Sequence, residues 1–172
     1  MFEIYIRTRP ERLWAAITDP ESRARYQFGA SVHSAWTVGS SYKVVHPRAS
    51  ASLIEGDNLE IDPPHRLVQS YHAVWDDDIA AEGTSRVTWE IEAVGDSCRL
   101  TVVHDQLSDD TDPHVYGGWP MILSGLKTWL GTGQERTTPG SLSYGGATRP
   151  PSTLPSLPLC ARAQTRGAGP MS

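Results

Sequence analysis

The spacing of apolar positions changes twice along the chain. Phe2, Ile4 and Ile6 alternate with Glu3, Tyr5 and Arg7, the period of a strand with one buried face. Leu13, Trp14 and Ile17 then share one helical face, with Thr8 as a capping residue, Pro10 early and Glu11 behind it, which predicts a short helix. Asp19-Pro20 breaks that helix and starts a second one: Asp19 caps, Pro20 takes the first position, Glu21 stands in the first turn, and Phe28-Gly29 ends it after about Tyr26.

Period two then returns. Strands are predicted over Ser31 to Trp36, Tyr42 to His46, Leu53 to Ile61, Leu67 to Trp75, Val87 to Glu92 and Arg99 to Gln106. The punctuation between them is Val38-Gly39-Ser40, a small polar loop from Pro47 to Ser52, Asp62-Pro63-Pro64-His65, a charged loop from Asp76 to Gly83, and Gly95-Asp96. Gly56 interrupts the third of these strands and marks a bulge or a close approach of backbone. An acidic loop from Ser108 to Pro113 leads into the last apolar run. There Trp119, Ile122, Leu123, Leu126, Trp129 and Leu130 fall at i, i+3, i+4 and i+7, the stripe of a long helix. Pro120 suits its first turn, and Gly131 and Gly133 suit its exit. Strands in sequence joined by tight turns favour an antiparallel meander. A stripe this bulky must be covered, and only a sheet bent around the helix can cover it. The fold class is α+β: a curved antiparallel sheet of six to seven strands wrapped on a long carboxy-terminal helix, with two short helices after the first strand.

Composition divides the chain at about residue 136. From Thr137 onward, 21 of 36 residues are Pro, Gly, Ser or Thr and no acidic residue occurs. Such a segment lacks the large apolar residues needed to pack, so residues 137–172 read as a disordered tail behind a folded body of residues 1–136. The abrupt loss of acids also fits translation in a shifted frame. The body then carries 12 basic and 20 acidic residues, within a chain of net charge −5. No affinity for nucleic acid or anionic membrane is implied. The amino-terminal stretch MFEIYIRTRPERLW has no apolar run of signal-peptide length and no window approaches a membrane span, which places the protein in the cytoplasm. Cys98 and Cys160 show no disulfide or metal spacing.

Three stretches carry a family likeness: Tyr5 to Trp14 with Thr18-Asp19-Pro20-Glu21; Leu59 to Val68 around Asp62-Pro63-Pro64-His65; and Gly117 to Lys127. Together they resemble the SRPBCC superfamily (START-like, Bet v1-like), in the group similar to the carboxy-terminal domain of the activator of Hsp90 ATPase. The resemblance covers residues 1 to about 133. It implies a helix-grip fold with a hydrophobic cavity between sheet and helix. It implies no single reaction, since members bind lipids, hormones or polyketides, act as cyclases or hydrolases, or assist chaperones.

Candidate chemistry centres on His104. It shares parity with Leu100 and Val102, so it points inward, where an imidazole could act as a general base or could simply be hydrogen-bonded near a strand end. His72 has the same features in lesser degree. Asp76, Asp77, Asp78 and Glu82 could hold a hard cation, but they lack EF-hand spacing and also read as a solvated loop. Cys98 has no paired histidine in sequence and reads as inert. The body is rich in Trp and Tyr, whose apolar bodies and polar tips suit a cavity for an amphipathic ligand, although plain core packing accounts for some of them. The site is therefore expected from Trp36, Tyr71, Trp89, His104, Trp119 and Leu123, with no metal and no cofactor. The function expected is binding of a hydrophobic small molecule. The alternatives are docking on an Hsp90-type chaperone ATPase, and an enzyme using His104 as a base on a hydrophobic substrate.

Overall fold

The structure is a computed structural model, and it describes residues 1–136. The expected tail, residues 137–172, lies outside the described residues.

Seven strands form one antiparallel sheet: β1 (Phe2–Ile6), β2 (Ser31–Ser34), β3 (Ser41–Val45), β4 (Ile54–Asp62), β5 (Arg66–Ala73), β6 (Ser85–Val94) and β7 (Ser97–Asp105). Their order across the sheet is β1-β7-β6-β5-β4-β3-β2. The chain thus runs β2 to β7 as a meander, and β1 closes the far side by pairing with β7 from Phe2↔Val102 to Ile6↔Cys98. Helices α1 (Pro10–Thr18) and α2 (Pro20–Tyr26) fill the crossover between β1 and β2. Two single turns, α3 (Asp77–Ala80) and α4 (Pro113–Tyr116), precede β6 and the long helix α5 (Trp119–Thr132).

The period-two reading is visible in β7, where Cys98, Leu100, Val102 and His104 are buried and the residues between them are half-buried. These inward positions join Leu67, Val87, Trp89 and Ile91 of β5 and β6, Leu13, Ile17 and Tyr26 of the short helices, and Trp119, Leu123, Leu126 and Leu130 of α5 in the main core. Each such side chain contributes about 1.5–3 kcal/mol by leaving water. Ile122 and Trp129 flank the stripe and pack against it. A second, smaller apolar cluster of Ala30, Val32, Tyr42, Val44 and Ile54 lies under β2, β3 and β4.

Several local expectations are corrected. Thr8 does not cap α1; Arg9 stands at that position in extended conformation, and the Thr8 hydroxyl is buried without a partner. Pro10 dictates this, because the residue before a proline is pushed out of the helical region. Asp19 does cap α2, accepting from the Ser22 N–H at 2.8 Å. The two acidic loops each contain a helical turn. Asp76 and Asp112 cap these turns, and the single apolar residues Ile79 and Val115 anchor them on Ala73.

Gly56 marks a close approach, and the register shift in β4 falls further on, between Asn58 and Glu60. A Cβ at Gly56 would stand 2.1 Å from the Ser70 carbonyl oxygen and 2.8 Å from the Tyr42 ring. The missing side chain lets Tyr42 pass beneath β4 and donate its hydroxyl to that carbonyl at 2.8 Å. At its end, α5 stops as the two glycines suggested, with Gly133 left-handed (φ 73°) and its N–H bonded to the Trp129 carbonyl.

Candidate functional site

Parity carries Tyr71 on β5, Ser85 and Trp89 on β6 and His104 on β7 to the inner face, and the first turn of α5 lowers Trp119 onto them. Trp89 and Trp119 meet edge to face with centroids 5.1 Å apart, Tyr71 lies 4.8 Å from the His104 ring, and Trp119 lies 6.1 Å from it. Four of the six expected ligand residues therefore form one contiguous group. Leu123 sits one turn along α5 from Trp119 and is 2% exposed. Trp36 stands apart from this group, half-buried against both the main and the second apolar cluster, where Tyr71 also reaches.

The hydrogen bonds of His104 fix its state. The Trp119 indole N–H donates to Nδ1 at 3.1 Å, so Nδ1 is an acceptor and the ring proton sits on Nε2. Nε2 then donates to the Ser85 hydroxyl at 2.8 Å, and Ser85 passes its own proton to the Tyr71 carbonyl at 3.1 Å. The relay has a consistent direction and no spare position. Burial lowers the His104 pKa to about 4 against the opposing pull of the Asp105 carboxylate, so the ring is neutral at pH 7. Asp105 itself faces outward and forms a two-pronged ion pair with Arg86 at 2.7 and 2.9 Å. A general base at His104 would first have to release Trp119.

Between the two apolar clusters runs a seam of buried polar side chains that sequence reading missed. Asn58, fully buried, donates through Nδ2 to Ser34 Oγ, Ser40 Oγ and the Ser40 carbonyl, and its Oδ1 accepts from Gln69. Ser34 Oγ also accepts from the Trp36 N–H at 3.1 Å. Trp36 is thereby held in left-handed backbone (φ 53°), which costs a non-glycine residue about 1–2 kcal/mol. From α2, Arg23 enters the same seam: its Nε–H donates to Gln27, its Nη1 donates to the Ile17 carbonyl at 3.0 Å, and its guanidinium lies 4.9 Å over the Trp89 ring. The signal was present in sequence as Arg, Gln and Asn at positions of inward parity or helix-face period.

The remaining candidates have structural partners. His72 Nε2 bonds the Ala80 carbonyl at 3.0 Å, and Glu82 accepts from the Asp112 N–H at 3.0 and 3.2 Å, tying α3 to the segment before α4. The Cys98 thiol is buried, its pKa is raised by that burial, and it contacts the Thr8 carbonyl. Among the described residues no group of three or more His, Cys, Asp or Glu could hold a metal ion, and no helix is long and apolar enough to cross a membrane.

Two recesses are found among the described residues. A recess of about 20 Å³, room for one water, lies beside Tyr71 and Ser85 under α3 and α4. A shallower one of about 290 Å³ lies where the ion-paired side chains of Arg66, Glu90, Glu92 and Arg99 cover the outer sheet face.

Comparison with solved structures gives several likenesses of fold. CalU16 from Micromonospora echinospora superposes with a TM-score of 0.60 at 22% identity, covering 76% of this chain and 74% of that one. The Aha1 dimer from Colwellia psychrerythraea gives 0.62 at 18%, covering 77% and 95%. PFC0360w, an HSP90 activator from Plasmodium falciparum, gives 0.60 at 23%, covering 75% and 94%. Comparison with curated proteins gives no match. The family model described as Activator of Hsp90 ATPase homolog 1-like protein matches residues 7–131, from the end of β1 through β7 to the last turn of α5. The chain belongs to this family, within the SRPBCC superfamily.

Proposed function

We propose that the protein binds an apolar or amphipathic small molecule in the seam between its two apolar clusters. The observation that carries this is the seam itself: a line of buried polar groups dividing the interior, with two half-buried aromatics, Trp36 and Tyr71, standing across both clusters. A domain selected for stability alone gains more from filling such a line with apolar side chains. Trp36 and Tyr71 form the entrance, Trp89 the floor, and His104, Trp119 and Leu123 the deeper wall. The recess of about 20 Å³ beside Tyr71 is too small for an organic ligand, and in this reading the ligand enters the seam by displacing Trp36 and Tyr71. Trp36 is already in strained backbone and is suited to that movement.

Native mass spectrometry of gently purified protein is expected to show an adduct of small organic mass, weakened in Trp36→Ala. Titration with the apolar probe N-phenyl-1-naphthylamine is expected to give a saturable blue shift. Bare protein mass together with no saturable shift would sink the proposal.

A second reading, docking on an Hsp90-type ATPase, is favoured by the description of the matching family and by the names of two of the structures alike in fold. It predicts a changed ATP turnover when the protein is added to a purified Hsp90. That change should survive Trp36→Ala, because this reading uses the outer surface of the domain rather than the seam.

A further inference from the structure

We infer that the seam contains a subsite for a carboxylate, formed by Arg23 and the indole N–H of Trp89, so that the ligand of the proposed function is an amphipathic carboxylic acid. This rests on the small-molecule reading above.

Two neighbouring groups lack the partner their chemistry demands. Arg23 is 5% exposed, yet none of the ion pairs among the described residues involves it. Its hydrogen bonds go to two neutral acceptors, the Gln27 amide oxygen and the Ile17 carbonyl, through Nε and Nη1. A guanidinium has five N–H donors, and a buried charge without a counter-ion is costly unless something else compensates it. Trp89 is 1% exposed, and its Nε1–H is a buried donor with no acceptor. The two are in contact, the guanidinium carbon lying 4.9 Å from the Trp89 ring centroid.

The surroundings supply the rest of the specificity. The Tyr26 ring lies 6.0 Å from the same guanidinium carbon. The charge of Arg23 also acts on the hydroxyls of Tyr42 and Tyr71, although burial dominates and keeps both protonated. An anion beside Arg23 therefore meets a cation that has no carboxylate ion-paired to it, while the Asp57 carboxylate acts only weakly at the Tyr42 end of the seam. A carboxylate fits better than a spherical anion: its two oxygens match the fork of a guanidinium and leave lone pairs for the indole N–H. Its apolar body would lie on the Trp89 side and leave past Tyr71 and Trp36. The orphan indole N–H and the guanidinium without a counter-ion then become a recognition device, completed only when ligand is bound.

The test compares 11-(dansylamino)undecanoic acid with its methyl ester, which share a body and differ only in charge. Dansyl fluorescence is titrated at pH 7 against wild type, Arg23→Met, Arg23→Lys and Trp89→Phe, with far-UV circular dichroism confirming the fold of each. Wild type is expected to bind the acid at least tenfold more tightly than the ester. Arg23→Met should bind acid and ester alike, at the affinity of the wild type for the ester. Trp89→Phe should lose threefold to tenfold for the acid alone. Arg23→Lys, which keeps the charge but not the fork, should fall between, and it serves in place of Arg23→Met should that variant fail to fold. Equal binding of acid and ester by wild type, or an acid preference that survives loss of Arg23, overturns the subsite while leaving small-molecule binding intact. Binding of neither probe overturns both.

Discussion

The neutral state of His104 makes a sharp prediction about acid stability. In the unfolded chain a histidine titrates near 6.5; in the fold, burial lowers this one to about 4. Between these values the unfolded state binds one more proton than the native state, so stability falls as the pH is lowered, by up to about 1.4 kcal/mol per pH unit. Above pH 6.5 the contribution is fully present; below pH 4 it is fully lost. Integrated over the window, the ceiling is about 3 kcal/mol. The ring is 8% exposed and keeps some access to solvent screening, which brings the expected loss to about 1–2 kcal/mol. The assay is urea unfolding at pH 7.0, 5.5 and 4.5 for wild type and His104→Gln. The carboxylates other than Asp105, whose pKa is lowered mainly by Arg86 and partly by His104, titrate alike in both proteins, so the difference between the two curves reports the imidazole together with its coupling to Asp105. Wild type should lose about 1–2 kcal/mol more than the variant across this range. Parallel curves would refute the buried neutral ring, and so would a native-state titration near 6.5 followed by NMR.

Three other substitutions probe the same framework. Trp119→Phe removes the donor to His104 Nδ1; it should cost about 1–3 kcal/mol and raise the His104 titration toward 6.5, read by imidazole NMR shifts. Gly56→Ala would press a methyl into the Ser70 carbonyl oxygen, so chemical denaturation should show a loss of at least about 2 kcal/mol. Asn58→Ala removes a fully buried amide and its four hydrogen bonds to buried Gln69 and half-buried Ser34 and Ser40 and should cost about 1–3 kcal/mol, with Trp36 emission shifting red as its anchor at Ser34 loosens; an unchanged spectrum would show that the Asn58 network does not hold Trp36.

Sequence reading recovered what has a period. All seven strands, both short helices and α5 were visible because alternation and the i, i+3, i+4 stripe follow directly from which face meets the core. The same parity placed His104 on the inside, and the wealth of Trp and Tyr named Tyr71, Trp89 and Trp119 as candidates, but their meeting in one group became visible only with the sheet register and the seat of α5. The turns α3 and α4 were hidden because four residues carry no period; only Ile79 and Val115 stood out among acids. Thr8 misled because its capping chemistry was weighed without the conformational demand of Pro10. Arg23, Asn58 and Gln69 were missed for another reason: a polar residue at an inward position looks like a surface residue until the neighbouring strands are known. Whether His104 is a base or a satisfied core residue also depended on partners at 15 and 19 positions' remove in the chain.

The divided interior implies that the molecule opens unevenly. The β2–β3–β4 wing has its own small cluster and is joined to the body through the β4–β5 ladder, which is interrupted between Asn58 and Glu60, together with the Asn58 knot and the Tyr42 hydroxyl bond, so its amides should exchange with solvent well before those of β6 and β7. A guest molecule could then be admitted by the breathing of one flap alone, with the larger half of the grip acting as an unyielding palm.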